Sequence, residues 1–344
     1  MNLKKIVKKL LLNIGLDISI VRRGHEESAV LGNVCTFMDS PTVERKFIAT
    51  TQLFDRLSSR SLADFADLVA GNPDIKSLVS GVPEEHYRRE VLRLGNHYLR
   101  ETFNKETGLS LFRPPQNVHA MVRQDIYCGD LYYCDLITEV LDDAGRTIKE
   151  SDRILDFGCS SGRIIKTLQA VYPDACFTGC DPNGEAIKWA ASEMPSAEFF
   201  ISPEKPPIPT ESGSYDIVYA ISIWSHFSRG AAMQWLDEMH RILKNDGLLL
   251  ITAHGFGALR HYLDHHAMSA GQVNTVRAQM QSSGFYFIDV FGPDGDWGVG
   301  KTDWGQSFFN PVYLMSQLTD SWDLVLYRKR RSENNQDVYL FRKK

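Results

Sequence analysis

Arg153-Ile-Leu-Asp-Phe-Gly-Cys-Ser-Ser-Gly162 is the stretch that decides how this chain folds. Arg153–Asp156 reads as a short apolar strand, Gly158 to Gly162 as a glycine turn, and Arg163 to Tyr172 as a helix with apolar residues at helical spacing. A second strand, Cys176–Cys180, runs into Asp181-Pro182. A glycine turn at a helix N-terminus lets backbone N–H groups approach a ligand, and the helix dipole favours an anionic group there. A carboxylate at the end of the next strand accepts hydrogen bonds from a ribose diol. Together these features specify a nucleoside cofactor.

A dinucleotide needs Gly-x-Gly-x-x-Gly, with the second glycine against the pyrophosphate and the third packing helix on strand. Counted from Gly158, those places hold Ser160 and Arg163, which obstruct both contacts. The spacing present, Asp156-x-Gly158-x-x-x-Gly162, resembles motif I of class I S-adenosylmethionine-dependent methyltransferases. There the ligand has an amino-acid end in place of a pyrophosphate. The likeness continues in family order. Ser214-Tyr-Asp-Ile-Val-Tyr-Ala-Ile-Ser222 resembles the fourth strand, and His240-Arg-Ile-Leu-Lys-Asn-Asp-Gly-Leu-Leu-Leu-Ile251 resembles the helix, turn and fifth strand.

The resemblance implies an α/β fold: a Rossmann-like class I methyltransferase sheet, mostly parallel, with an antiparallel last strand. It implies S-adenosylmethionine as cofactor. Gly158, Cys159, Ser160 and Gly162 would lie along its methionine and ribose, Asp156 near the α-amino group, and Asp181, followed by Pro182, on the ribose hydroxyls. Residues from Ile221 onward would face the sulfonium side. Helices before motif I commonly fold over the cofactor, so Tyr132 is a candidate to stack or hydrogen-bond there, with core packing as the alternative. Ser202 is placed at the adenine by position alone, because the third strand lacks the familiar acidic residue.

Four regions are expected. Residues 1–24 form a basic amphipathic segment, 25–148 a mainly helical region, 149–255 with 306–344 the cofactor-binding core, and 256–305 an insertion serving as a lid for the acceptor. In the helical region, Thr42–Leu57, Ser61–Ala70, Glu84–Phe103 and Asp130–Asp143 carry helical periodicity. Core strands are expected at Arg153–Asp156, Cys176–Cys180, Glu198–Ile201, Asp216–Ala220 and Gly247–Thr252, alternating with helices, which implies a parallel sheet. A helix at Pro311–Thr319 and strands at Asp323–Arg328 and Asp337–Arg342 complete it. Within the insertion, Ala258–Ser282 reads as helical and Phe285–Phe291 as a strand. Gly292 to Gly305 is a glycine-, aspartate- and tryptophan-rich loop beyond the fifth strand, where binding loops sit.

The 344 residues suffice for a substantial core plus an appendage, and the net charge of −5 supplies no global basic field for nucleic acid. The six cysteines show no Cys-x-x-Cys pair; they read as reduced and structural, in keeping with cytoplasm, with Cys176 and Cys180 in a buried strand and no metal site implied. No stretch reaches the roughly 20 apolar residues a bilayer span requires. Leu3, Ile6, Val7, Leu10, Leu11 and Ile14 share one helical face, and Lys4, Lys5, Lys8 and Lys9 the other. Such a helix lies on the inner face of an anionic membrane or docks on protein, in this chain or another subunit; the pattern allows either.

Methyl transfer to an alcohol needs the hydroxyl proton removed, a task suited to a histidine. His226, in Ser222-Ile-Trp-Ser-His226, matches a Ser-x-x-x-His pattern carried at this place by many methyltransferases of the class. It is the candidate general base; substrate contact without proton transfer, or a hydrogen bond within its own loop, are the alternatives. His254, at the end of the fifth strand, is expected to face the acceptor, and His240 to be structural. His261, His265 and His266 lie on the insertion's helix as a solvated or acceptor-facing cluster. The lysine-rich start, Pro206-Pro-Ile-Pro209 and the closing Gln336-Asp-Val-Tyr-Leu340 resemble methyltransferases of bacterial surface-polysaccharide biosynthesis. That implies O-methylation of a sugar hydroxyl on a glycan acceptor, with Trp297 and Trp304 offering indole faces to sugar C–H surfaces. A lipid, another small molecule or a protein side chain is the alternative acceptor, and a non-catalytic cofactor-binding scaffold the third reading.

Overall fold

The computed structural model describes residues 45–109, 114–115, 118, 130–290 and 303–344. The basic segment 1–24 and Trp297 lie outside the described residues, as does most of the Gly292–Gly305 loop.

The described residues open with five helices: α1 (Ile48–Phe54), α2 (Ser59–Gly71), α3 (Pro73–Val79), α4 (Glu84–Tyr98) and α5 (Arg100–Thr107). After α6 (Leu131–Asp143) comes the alternating core: β1 (Arg153–Phe157), α7 (Arg163–Val171), β2 (Cys176–Asp181), α8 (Gly184–Glu193), β3 (Glu198–Ile201), β4 (Tyr215–Ala220), α9 (Arg229–Ile242) and β5 (Leu243–Ala253). The insertion supplies α10 (Phe256–Asp264), α11 (Ala270–Ser283) and β6 (Phe285–Ile288), and β7 (Gln306–Phe309) follows directly after it. The chain closes with α12 (Pro311–Ser316), β8 (Trp322–Ser332) and β9 (Gln336–Lys343).

The main sheet runs β3-β2-β1-β4-β5-β9-β8. β1 to β5 pair in parallel, while β9 is antiparallel to both β5 and β8. This is the Rossmann-like arrangement that the motif order implies. β1 sits in the middle, so Ile154 to Phe157 are all buried, as expected of a strand covered on both faces. Successive residues then serve opposite faces. Ile154, Ile217, Leu248 and Leu340 pack in one core with the N-terminal helices, α6 and α7. Leu155, Val218, Leu249 and Phe341 pack in the other with α9 and α12.

The N-terminal helices are tied to the core by buried polar contacts. Thr50 donates from its backbone N–H and its hydroxyl to Asp135 at 2.9 and 2.6 Å, and Arg89 reaches the same carboxylate at 2.8 Å. Glu139 of α6 accepts from the backbone N–H of Lys46 at 3.0 Å and from Arg331 of β8 at 2.6 Å.

The structure corrects several boundaries. The single helix expected at Glu84–Phe103 breaks at Leu99, whose φ of −119° and ψ of 43° are not helical. The insertion's helix is two helices, because the Ser269 hydroxyl and Gln272 form a reciprocal capping box that starts α11 afresh. Cys176 is exposed, at the outer end of β2. β7 has no counterpart in the sequence reading: it is a short segment whose partner, β6, is remote in the chain.

Candidate functional site

The site lies at the carboxyl ends of the parallel strands, where an open α/β sheet leaves a crevice. β1 delivers Asp156 into the interior at 3% exposure and then bends sharply. Gly158, Ser160 and Gly162 all have left-handed φ values, of 84°, 49° and 73°. The bend is pinned by N–H groups of Gly158 and Cys159 donating to the Cys180 carbonyl at 2.8 and 3.0 Å. Gly158 is needed on two counts. A Cβ there would stand 2.2 Å from Ile223 Cδ1, and the φ is one that side chains disfavour. Gly162 caps α7 without any side-chain hydrogen bond.

Asp181, at the end of β2, accepts from the backbone N–H of Ser160 at 2.8 Å and of Asn183 at 2.8 Å. Its carboxylate therefore holds the bend and the start of α8 together, and the remaining lone pairs are what a diol would use. Burial pushes its pKa upward, while these two N–H groups pull it back. Pro182 follows it, half-buried. The fit to a cofactor with a cationic amino-acid end is carried by polar atoms left over at the bend. Asp156 Oδ2, Ser160 Oγ and Ser161 Oγ are buried and have no hydrogen-bond partner. Burial pushes the Asp156 carboxyl up to about 8; the Tyr219 hydroxyl and the Arg163 charge offset this in part, and the charge of Asp181 adds to it. A buried acid only partly compensated is relieved by a positive charge beside it. The thiol of Cys159 is pushed up by burial too, so Cys159 is part of the wall and no nucleophile.

The loop after β4 covers this bend. Ile221 is half-buried and packs on the first core, and Ile223 lies over Gly158. Ser222 is held at φ 61°, a conformation costing roughly 1–2 kcal/mol for a residue with a side chain. Its N–H donates to Thr252 Oγ1 at 2.8 Å, and Gln336 Nε2 donates to its Oγ at 2.7 Å.

His226 stands at the end of this loop. Its Nδ1 lies 2.7 Å from the Gly305 carbonyl, which can only accept, so Nδ1 carries the proton. In the neutral ring Nε2 is then the basic nitrogen. Gly305 N–H donates back to the His226 carbonyl at 2.8 Å, and Trp304 stacks on the imidazole with centroids 4.7 Å apart. The segment after the undescribed loop thus docks directly on the candidate base.

His254 is placed differently from the expectation. It is 3% exposed, enclosed by Ser307, Phe308 and Tyr262 rather than facing an open cleft. Its ring bonds the Ser307 carbonyl at 3.1 Å, and burial, aided by nearby His226, drives its pKa down to about 3. The Tyr132 hydroxyl accepts from Arg45 at 2.9 Å and from the Glu333 N–H at 2.6 Å, and donates to the Arg331 carbonyl at 3.3 Å. Those bonds fasten the N-terminal region to the β8–β9 turn and leave the hydroxyl engaged within the protein. Ser202 is 5% exposed and its N–H donates to the Asp181 carbonyl at 3.1 Å, which keeps the end of β3 beside the site. His240 packs edge-on against Trp322 at 5.3 Å, away from the bend.

Sequence reasoning did not single out Ser161, Thr252 and Gln336. Ser161 had a signal, its place inside the glycine bend; Thr252 and Gln336 reach the site through contacts between distant strands.

In sequence, residues 154–247 match the family described as a methyltransferase domain. Over 157 residues the chain is 26% identical to the malonyl-[acyl-carrier protein] O-methyltransferase of Halalkalibacterium halodurans, a match covering 41% of this chain and 53% of that protein. The chain therefore spans about half the length of the curated relative it matches. Among solved structures, it is similar to a SAM-dependent methyltransferase from Methanosarcina mazei, at 21% identity over 57% of this chain and 94% of that one, with a TM-score of 0.42. It is also similar to one from Aquifex aeolicus, at 14% identity over 60% and 88%, with a TM-score of 0.38. The core of the chain is a class I S-adenosylmethionine-dependent methyltransferase domain.

Proposed function

We propose that the whole protein is an S-adenosylmethionine-dependent O-methyltransferase that acts on a sugar hydroxyl of a glycan or polysaccharide precursor, with His226 as general base. The observation that carries the reading is the juxtaposition of two features: buried, unpartnered Asp156, Ser160 and Ser161 at the glycine bend, and His226 on the loop packed over that bend. Asp156 would take the cofactor's α-amino group, the Gly158–Gly162 bend its methionine and ribose, and Asp181 the ribose hydroxyls. Bound there, the cofactor supplies a methyl group on an electron-poor sulfur. The protein's part is to orient the acceptor, exclude water and remove one proton. His226 Nε2 accepts the hydroxyl proton, and the resulting imidazolium keeps its Nδ1–H on the Gly305 carbonyl. Trp304 shields one face of that ring from water. In this reading the insertion, 256–305, closes the acceptor side, with Trp304, stacked on His226, as the described residue that would line the pocket and Trp297 as the second indole expected there.

A second reading keeps the chemistry and changes the acceptor to another small molecule, a lipid or a protein-borne group. It is favoured by the match to a methyltransferase that acts on a malonyl group carried by a protein. None of the described helices is long and apolar enough to cross a membrane. In the glycan reading the protein works in the cytoplasm, with residues 1–24 resting on the inner membrane face.

Calorimetry with S-adenosylhomocysteine, then a labelled-methyl screen of sugar nucleotides, free and lipid-linked glycans and acyl carrier proteins, tests both levels. His226→Gln should leave S-adenosylhomocysteine affinity intact and lower turnover of the acceptor found by about 10²–10⁴-fold. Binding of a nicotinamide dinucleotide in place of S-adenosylhomocysteine would end the methyltransferase reading. Full turnover by His226→Gln would remove the base.

A further inference from the structure

Gln336 is the first residue of β9, remote in sequence from motif I and from His226, yet its side chain is 7% exposed beneath the His226 loop. Its hydrogen bonds run in one direction. Thr252 Oγ1 already accepts from the Ser222 N–H at 2.8 Å, so its own proton goes to Gln336 Oε1, 2.5 Å away. With Oε1 accepting, the amide nitrogen must donate, and it does, to Ser222 Oγ at 2.7 Å and toward Ser225 Oγ at 3.5 Å. Ser225 Oγ in turn donates to the Ser222 carbonyl at 3.0 Å. The four side chains close a ring around the one residue of the loop that is held in the left-handed region, Ser222 at φ 61°.

The loop is gripped on its other side by the insertion. Ser307 N–H donates to the Ser225 carbonyl at 2.8 Å, and Gly305 holds both the backbone and the ring of His226. Two strained or polar contacts on opposite sides fix the loop only if both are made. The insertion's side is anchored in the short β6–β7 sheet, where Ser307 pairs with Phe287, and the Gln336 side in the main sheet, where Thr252 pairs with Val338. Thr252 and Gln336 thus tie the His226 loop to the main sheet.

We propose that Gln336, acting with Thr252 through Ser222, is a positioning residue that fixes the loop carrying His226 and so keeps its Nδ1–H on the Gly305 carbonyl. The proposal rests on the methyltransferase reading for its purpose, though its geometry does not. The pattern needs an amide: an ionised glutamate cannot donate to Ser222, and methionine fills the space without either bond. Because Gln336 and Thr252 serve one chain of bonds, breaking both costs no more than breaking either.

The test uses full-length protein with ¹⁵N-labelled histidine, which carries ten histidines, the His226 signal being identified by its loss in His226→Gln. In the native protein the two ring nitrogens of His226 should give the separate signals of a fixed Nδ1–H tautomer. Gln336→Met and Thr252→Val should each collapse that pattern toward an average, Thr252→Ser should restore it, and Gln336→Met/Thr252→Val should look like either single variant. An unchanged His226 pattern in Gln336→Met overturns the proposal; if that variant does not fold, an unchanged pattern in Thr252→Val does so. Failure of the native protein to bind S-adenosylhomocysteine would instead strike the methyltransferase reading and leave the positioning result to stand on the tautomer data alone.

Discussion

Gly158→Ala probes the bend and the His226 loop together. Two costs arise at this position. The backbone φ of 84° is one that a Cβ makes unfavourable by about 1–2 kcal/mol. The new methyl would also stand 2.2 Å from Ile223 Cδ1 and 2.6 Å from Ile223 Cγ1. Those are the far atoms of a side chain that can turn, so the collision resolves by driving Ile223 off its rotamer, at roughly 0.5–1.5 kcal/mol. The combined loss should be about 2–3 kcal/mol, read as a shift in the urea midpoint with the slope unchanged. In an Ile223→Ala background the second cost vanishes and only the backbone part remains. The double-mutant cycle should therefore show a favourable coupling of about 1 kcal/mol. S-adenosylhomocysteine affinity should fall in Gly158→Ala and recover partly in the double variant, because Ile223 moves with the loop lying over the bend. Equal destabilisation by Gly158→Ala in both backgrounds would refute the contact on which the assembly of the site depends.

Asp156→Asn should flatten the stability–pH curve. The folded carboxyl titrates at about 8, far above its unfolded value near 3.9, so the native state loses stability as pH rises between those two values. The amide removes that loss, so denaturation midpoints at pH 5 and pH 8 should converge, while S-adenosylhomocysteine binding weakens. Arg331→Met should leave the Glu139 carboxylate, 3% exposed as a side chain, without its ion-pair partner and lower stability by about 3–5 kcal/mol in urea titration. Arg331→Met/Glu139→Leu should recover much of that, since no buried charge is then stranded.

The glycine bend, the alternation of strands and helices and the carboxylates Asp156 and Asp181 were legible in the chain because each depends on neighbours a few residues away. A turn needing positive φ selects glycine locally, and a strand buried on both faces writes itself as an apolar run. The same locality sets the limit. Tyr132 stands beside motif I in sequence, but its hydroxyl is claimed by Arg45, Arg331 and Glu333, residues no local pattern could bring to it. His254 was correctly placed at the end of β5, yet whether it meets solvent or protein was decided by Ser307 and Phe308 arriving from the far end of the insertion. Gln336 shows the same division most sharply. The strand beside it could be foreseen from the apolar run Val338-Tyr-Leu-Phe341, but the partners of Gln336 are set by antiparallel pairing of β9 with β5, which puts it beside Thr252 and under Ser222. Local chemistry thus determined the glycine bend and its carboxylates. The setting of His226 and the enclosure of His254 came from long-range register, because hydrogen bonds between remote strands depend on how the sheet closes and leave no periodicity in the sequence.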